Sequence, residues 1–318
     1  MKRVLKYLFT FVFMFSAAGF SCLASVTGDD VVFPDADKVV AKKILTLLHK
    51  EKVKAESEGR TLSTSELMLL ASYQLMGIPY VTSSLDTDWE KEQLRISLTG
   101  TDCILFVETC LNLAVTASVT DDPSDTSFDT FIKRMASTRY RIPGPEYSYS
   151  DRIHYTTEWI RRQEGKTLKD MTLEFGGKTM DHPVSYMTAH PGSYPLLSDK
   201  SLNPYADKDL AAIRKVEDQI NQTPMTVILK EDMPAALKEI RSGDIICYVT
   251  SVEGLDISHV AIALVKDGRV GFIHASSKEM KVVTDAKTIF EYVSASHNLM
   301  GIKVVRPLQV WNTSVTSF

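Results

Sequence analysis

The stretch HVAIALVKDGRVGFIHA, residues 259–275, contains two apolar runs separated by a short polar turn. Asp267 and Gly268 lie at its centre, and this dipeptide tolerates the positive φ angles of a two-residue hairpin turn. If the residues flanking the dipeptide face each other, His259 and His274 become diagonal neighbours on one face of the hairpin. A three-residue loop would shift the register and place them on opposite faces, so two ordinary strand histidines remain the alternative.

The rest of the chain predicts helices first and an antiparallel sheet afterwards, an α+β class. Helical periodicity appears over residues 35–54 and 63–77, the second opened by a capping box of Ser63 and Glu66. Residues 118–224 are rich in Pro, Gly, Ser, Asp and Tyr, with helical islands at 156–162 and 207–220. We therefore expect a long loop-rich insertion that shapes a binding site, or alternatively one that only decorates the surface. Strand patterns follow at residues 225–229, 244–250, 259–265, 270–275, 281–283 and 301–306.

Residues 1–24 have a basic start, an apolar run and small residues ending in Ala24, which is typical of a secretory signal peptide. The alternative, a membrane anchor, would need about 20 apolar residues, and the run is shorter. A lipid anchor on Cys22 is a further alternative, although Phe20 is bulky where such sites want small residues. We expect an exported mature chain, residues 25–318, that forms a single domain without a stable membrane span.

The charge of the chain argues against nucleic acid as a partner. The formal net charge is −4, and removal of the three basic residues of the signal peptide brings it to −7, from 36 basic and 40 acidic residues. No long basic run remains. With 44% hydrophobic residues, the mature chain has enough apolar sequence for a packed core.

The second informative stretch is TGTDCILFVETCLNLA, residues 99–114, which opens a predicted amphipathic helix. Cys103 lies on its apolar face, and free cysteine is often a buried packing residue. It also lies in the first helical turn, where unpaired N–H groups stabilise an anion and can lower a thiol pKa. Cys103 is therefore either a core residue or a nucleophile. Cys110 and Cys247 are expected to pack, and Cys110 lies about 10 Å along the helix from Cys103, too far for a disulfide.

Neither a paired CxxC motif nor an HExxH motif is present, so the sequence predicts no metal site and no cofactor.

Five short motifs in order resemble the signature of the NlpC-type papain-like cell-wall peptidases. Asp102-Cys103 followed by Phe106-Val107-Glu108, and Arg152-Ile153-His154-Tyr155 followed by Trp159, resemble the N-acetylmuramoyl-L-alanine amidase-like branch of that superfamily. The resemblance extends over residues 35–307. The five motifs are Gly77-Ile78-Pro79-Tyr80, Asp102-Cys103, Gly243-Asp244, Ser258-His259-Val260 and Ile273-His274-Ala275.

The resemblance implies a papain-like (NlpC-type) core and a cysteine amidase of the periplasm or cell envelope. Its substrates would be muropeptides, cleaved between N-acetylmuramic acid and L-alanine without a metal or cofactor. Cys103 would be the nucleophile, His259 the base and His274 the residue that orients the base.

Four further residues are predicted to bind substrate. The resemblance places Tyr80 beside the thiolate, with a plain turn tyrosine as the alternative. Arg152, Tyr155 and Trp159 would line a glycan or peptide groove. The alternative for them is a helix docked by Trp159 with Arg152 on the surface.

Two positions depart from the family pattern. Ile104 stands where many members of the superfamily have a serine linked to recognition of the free amine of a stem peptide, which disfavours a γ-D-glutamyl-diamino-acid endopeptidase. Leu105 stands where the amidase-like branch often has threonine. That endopeptidase activity and a non-catalytic cell-wall glycan-binding protein remain the alternatives to an amidase.

Overall fold

The computed structural model of the protein describes residues 31–83, 85, 86, 91–142, 144 and 146–310. The predicted signal peptide and Cys22 lie outside the described residues. No helix in the described ranges is long and apolar enough to cross a membrane. The helices are α1 (Asp35–Ser57), α2 (Thr64–Gln74), α3 (Cys103–Val119), α4 (Asp125–Arg139), α5 (Thr156–Gln163), α6 (Tyr186–Ala189), α7 (Pro195–Ser198), α8 (Ala206–Ile220), α9 (Met233–Ala236) and α10 (Ile289–Ser294).

The strands form a large antiparallel sheet and one short parallel pair. The pair joins β1 (Val31–Val32) to β2 (Leu94–Arg95). The sheet contains β3 (Leu168–Asp170), β4 (Lys178–Met180), β5 (Met225–Leu229), β6 (Ile245–Thr250), β7 (Ile257–Lys266), β8 (Arg269–Ser276), β9 (Lys281–Thr284) and β10 (Leu299–Pro307). Its order is β4-β5-β10-β6-β7-β8-β9, with β3 also paired to β10, and all of these pairs are antiparallel. The predicted α+β class is confirmed, whereas the papain-like type of core stays a prediction.

The hairpin of β7 and β8 has the predicted register. Lys266 faces Arg269, so the loop contains only Asp267 and Gly268. Their φ angles are 51° and 74°, both positive, as a two-residue turn that matches the strand twist requires. The turn therefore places His259 and His274 on one face of the sheet.

The helix that begins with Cys103 is more deeply buried than its sequence predicts. The predicted single apolar face packs against the sheet, but every residue from 105 to 117 is buried. The reason is that α4 covers the opposite face, where Glu108 and Asn112 find partners in Arg139 and Thr138. α3 also packs against α1, α2, β7 and β8 and is the central element of the fold.

The segment predicted as a loop-rich insertion contains more regular structure than expected. α4 occupies residues predicted as loop, and it buries Phe131, Met135 and Ala136 against the core. β3 and β4 extend the main sheet, so part of the segment belongs to the central architecture. The remainder has a small core of its own, formed by Tyr149, Tyr155, Val184, Met187, Leu196, Leu197, Ile213 and Ile220.

Candidate active site

Cys103 is the first residue of α3, as predicted. Asp102 caps the helix, because its carboxylate accepts the Leu105 N–H at 2.9 Å. The partly exposed Cys103 thiol faces the backbone N–H groups of Ile104 and Val260. Since Val260 follows His259 in β7, the start of the helix lies directly against the start of the strand that carries the predicted base.

The thiol pKa does not follow the prediction for a helix N-terminus. Burial, followed by the charge of Asp102, raises the pKa of Cys103 to about 12, although the nearby N–H groups act in the opposite direction. Desolvation and an adjacent carboxylate both disfavour a thiolate, and here they outweigh the helix terminus. Cys103 is therefore a neutral thiol near neutral pH, and its use as a nucleophile requires a base.

The two strand histidines are hydrogen-bonded to each other. His259 Nε2 lies 2.7 Å from His274 Nδ1, and the two rings are nearly perpendicular, at 78°. Burial, with a smaller effect of His274, lowers the pKa of His259 to about 3. At neutral pH the His259 ring is thus uncharged and can accept a proton. The predicted meeting of the two rings is confirmed.

The thiol and the histidine pair both lie near Tyr292 of α10. Val260 belongs to the core on the α3 side of the sheet, whereas His259 lies on the other side against Tyr248, with ring centroids 5.5 Å apart. The Tyr292 ring centroid is 6.2 Å from that of His259 and 6.1 Å from that of His274. The charge of Cys103 also raises the Tyr292 pKa, after burial and Asp285. Because the Cys103 pKa is about 12 and the His259 pKa is about 3, both groups are neutral in the resting site.

Tyr80 lies beside the thiol. Its backbone N–H donates to Met280 O at 3.0 Å, and Tyr80 also forms a bridge with Thr101, two residues before Cys103. Burial, then the charges of Cys103 and Asp102, raises the Tyr80 pKa to about 12. The phenol is therefore protonated at neutral pH and can donate a hydrogen bond near Cys103.

The other three predicted substrate ligands are buried. Arg152 is 4% exposed; its Nη2 lies 2.7 Å from Asp86 Oδ1 and 3.2 Å from Glu92 Oε2. Tyr155 donates its hydroxyl to Glu217 at 2.7 Å, and Trp159 packs in the main core. These side chains contact the protein's own residues, and the groove predicted for them stays a prediction.

A groove of about 1180 Å³ opens beside the histidine pair. It is bounded by residues 276–279, 284–287 and 295–299, and its lining includes Tyr292 and Asp285. Asp285 was not predicted: its Oδ2 lies 3.3 Å from His274 Nε2, and no sequence motif marks it. Among the described residues, no group of three or more His, Cys, Asp or Glu side chains could hold a metal ion.

A helix-terminal thiol and a hydrogen-bonded histidine pair, both near Tyr292, define a candidate nucleophile-and-base site on an α+β fold. The chain belongs to the AmiA-like family, described as N-acetylmuramoyl-L-alanine amidase-like, whose family model matches residues 70–302. No match is found among curated proteins. The family supports a hydrolase of the peptidoglycan amidase type, while the wider NlpC-type resemblance stays a prediction.

Solved structures of similar fold include an N-acetylmuramoyl-L-alanine amidase from Bacteroides uniformis. It is 26% identical, with a TM-score of 0.67 over 77% of this chain and 99% of that chain. A putative xylanase from Bacteroides fragilis is 29% identical, with a TM-score of 0.63 over 74% and 98%. A Legionella pneumophila protein, 18% identical with a TM-score of 0.59 over 86% and 98%, shares the fold alone.

Proposed function

We propose that the protein is an exported cysteine amidase that hydrolyses the amide between N-acetylmuramic acid and L-alanine in peptidoglycan fragments. The observation that carries the proposal is the hydrogen bond between His259 and His274, because His259 directly precedes Val260, whose backbone N–H faces Cys103. Membership of the amidase-like family supports the choice of bond. Export to the cell envelope follows from the predicted signal peptide.

In the proposed acylation step, the lactyl carbonyl of the muramoyl group approaches Cys103. The resting thiol holds its proton because its pKa is about 12, so His259 removes the proton as sulfur attacks the carbonyl carbon. The C–N bond then breaks, and His259 returns the proton to the amine of L-alanine. The product at this stage is a muramoyl thioester on Cys103 and a free stem peptide.

In the deacylation step, water attacks the thioester and gives a proton to His259. Cleavage of the C–S bond releases muramic acid, and the proton returns to Cys103. The low pKa of His259, about 3, keeps the ring unprotonated at the start of each step, while His274 holds its orientation. The tetrahedral oxyanion would bind the Cys103 backbone N–H and the Tyr80 hydroxyl, which is protonated at neutral pH.

We propose that the substrate occupies the groove beside the histidine pair rather than the region of Arg152, Tyr155 and Trp159. The groove reaches His259 directly, and the exposed ammonium groups of Lys278 and Lys287 lie along it. Stem peptides carry carboxylates that such groups attract. The half-buried ring of Tyr292 offers an apolar face for a sugar.

The experiment that tests this function is incubation of the mature chain with defined muropeptides, followed by mass spectrometry. Release of an intact peptide beginning with L-alanine, together with free muramic acid sugar, is the expected result. Cys103→Ala should abolish release, and Cys247→Ala serves as a matched control, because Cys247 is a buried cysteine on the neighbouring strand β6.

Two other results would overturn the proposal. Cleavage after D-glutamate, with the sugar still attached to L-alanine, would identify an endopeptidase. Binding of muropeptides without any cleavage, by a chain whose thermal unfolding is intact, would identify a glycan-binding protein.

A further inference from the structure

His274 is hydrogen-bonded at ring nitrogen Nδ1 and lies close to a carboxylate at ring nitrogen Nε2. Nδ1 lies 2.7 Å from His259 Nε2, and Nε2 lies 3.3 Å from Asp285 Oδ2. The His274 residue is only 2% exposed, so bulk water has little access to compete for either nitrogen. The three side chains therefore form a line that runs from the groove edge to the proposed base.

The backbone fixes which oxygen of Asp285 faces the ring. Oδ1 accepts the Lys287 N–H at 2.8 Å. The Asp285 N–H donates to the carbonyl oxygen of Phe272, in β8, at 3.1 Å. Oδ1 is thus occupied, and Oδ2 remains for His274. The carboxylate is held in place by the short turn that follows β9, independently of the histidines.

The donors and acceptors along this line determine where the protons lie. Burial lowers the pKa of His274 below its usual value, which favours the neutral ring. A neutral imidazole carries hydrogen on one nitrogen only, and a carboxylate can only accept. Facing Asp285, His274 therefore carries its hydrogen on Nε2 and has its lone pair on Nδ1. His259 must then donate from Nε2, which leaves the lone pair on its Nδ1.

We infer that Asp285 is a positioning residue that fixes the tautomers of both histidines and so keeps the lone pair of His259 on Nδ1. Its catalytic consequence depends on the proposed function: because Nε2 of His259 is bonded to His274, Nδ1 is the ring nitrogen left to receive the proton of Cys103. Without the carboxylate, His274 can hold its hydrogen on Nδ1 and donate to His259 Nε2. His259 would then carry hydrogen on Nδ1 and could not accept the thiol proton.

Other ionisable groups near the pair act more weakly. Tyr292 contacts both rings, and the charge of Glu279 acts on His274 less than that of Asp285. Further groups along the groove are Lys278, Lys281, Lys287 and His297. Within the described structure, Asp285 is the only acidic residue that pairs with His274 Nε2.

Asp285→Asn provides a sharp test because the hydrogen bond from the Lys287 N–H orients the new asparagine amide. The Lys287 N–H requires an acceptor, so the asparagine carbonyl stays there and the NH₂ group points at His274 Nε2. His274 Nε2 must then accept a hydrogen bond, so the ring hydrogen of each histidine moves from Nε2 to Nδ1. Asp199→Asn is the matched control, since the Oδ1 of Asp199 accepts the Ser201 N–H at 2.8 Å in the same kind of turn on an exposed surface away from the groove.

The first measurement is nitrogen-15 NMR of the histidine rings, which reports the protonated nitrogen without requiring activity. The parent chain should show hydrogen on Nε2 of both His259 and His274, and Asp285→Asn should move both to Nδ1. Signals are assigned from their loss in His259→Asn and His274→Asn. Hydrogen on Nδ1 of either ring in the parent overturns the inference, even if no variant folds.

The second measurement is steady-state kinetics with the muropeptide. We expect Asp285→Asn to lower kcat about 100-fold, less than the roughly 10⁴-fold effect of a wrong tautomer in Ser-His-Asp enzymes, because the two histidines can still exchange tautomers. KM should change less than about twofold, Asp285→Glu should restore most of kcat, and Asp199→Asn should match the parent. A kcat within twofold of the parent in Asp285→Asn would overturn the positioning role. An inactive parent with the expected tautomers would instead count against the proposed function and leave the tautomer assignment standing.

Discussion

Arg139 of α4 binds Glu108 of α3 inside the core. Arg139 Nε lies 2.8 Å from Glu108 Oε2, and Nη2 contacts the same oxygen. The two side chains are only 5% and 3% exposed, and Thr138 adds a hydrogen bond to Glu108 at 3.0 Å. The pair joins the helix that begins with Cys103 to the helix that covers it.

Removal of one partner of this pair should destabilise the fold strongly. Glu108→Ala leaves Arg139 buried and uncompensated, so we expect the free energy of unfolding to fall by about 3–5 kcal/mol in urea titration. The control is Asp207→Ala, which removes an exposed partner of Lys200 and should produce no measurable change. A loss below about 1 kcal/mol in Glu108→Ala would show that the pair does not hold the two helices together.

Alkylation of Cys103 should increase with pH and show no plateau near neutrality. Its thiol pKa is about 12, so the thiolate fraction rises about tenfold per pH unit below that value. Iodoacetamide rates at pH 7, 8 and 9, followed by peptide mass spectrometry, should show this slope. Cys103 should still react before the fully buried Cys110 and Cys247. A rate that levels off above pH 7 would instead indicate a lowered pKa.

Replacement of each histidine in turn should distinguish the catalytic base from the residue that orients it. His259→Ala should remove nearly all activity, because the neutral thiol then has no base. His274→Ala should lower kcat by orders of magnitude and leave a measurable remainder, since water can partly replace an orienting group. The exposed His190 provides the control, and His190→Ala should match the parent. Near-parental turnover by His259→Ala would end the proposed mechanism.

Arg152→Ala and Trp159→Ala should lower stability rather than weaken substrate binding. Arg152 is buried with Asp86 and Glu92, and its loss should cost about 3–5 kcal/mol of unfolding free energy. Truncation of the buried Trp159 should cost about the same through the cavity that it leaves. Thermal unfolding and KM are measured together. A raised KM with an unchanged thermal midpoint would restore the predicted sugar groove.

Replacement of the groove lysines should act on binding alone. The double variant Lys278→Gln, Lys287→Gln should raise KM for muropeptides about fivefold, as expected for two exposed charges, with kcat unchanged. The effect should shrink at high salt because exposed charges are screened. Lys200→Gln with Lys208→Gln, on an exposed surface outside the groove, is the charge-matched control. Equal KM values for the two double variants would place the stem peptide elsewhere.

Features fixed by local chemistry were predictable from the sequence. The dipeptide Asp267-Gly268 determines the hairpin register and therefore the meeting of His259 and His274. The capping box of Ser63 and Glu66 is present with both of its hydrogen bonds. In each case, neighbours along the chain carry the information, so no knowledge of distant contacts is needed.

Features that depend on distant contacts were not predictable. Asp285 reaches His274 only because β9 folds back along β8, and a lone aspartate eleven residues downstream carries no signal of that contact. Arg152 and Tyr155 are residue types that suit a substrate groove as well as a buried position. Their burial depends on elements packed around them from elsewhere in the chain. The same holds for the Cys103 pKa, because desolvation is a property of the packed site.

The burial of α3 on every side has a consequence for motion during turnover. A helix enclosed by α1, α2, α4 and two strands cannot shift without opening the core, so the thiol at its first residue is a stationary reference point. Any adjustment between free and substrate-bound forms must come from the histidine side. There the exposed turn after β8 and the short helix α10 border the groove, so under the proposed function these are the elements expected to adjust to a muropeptide.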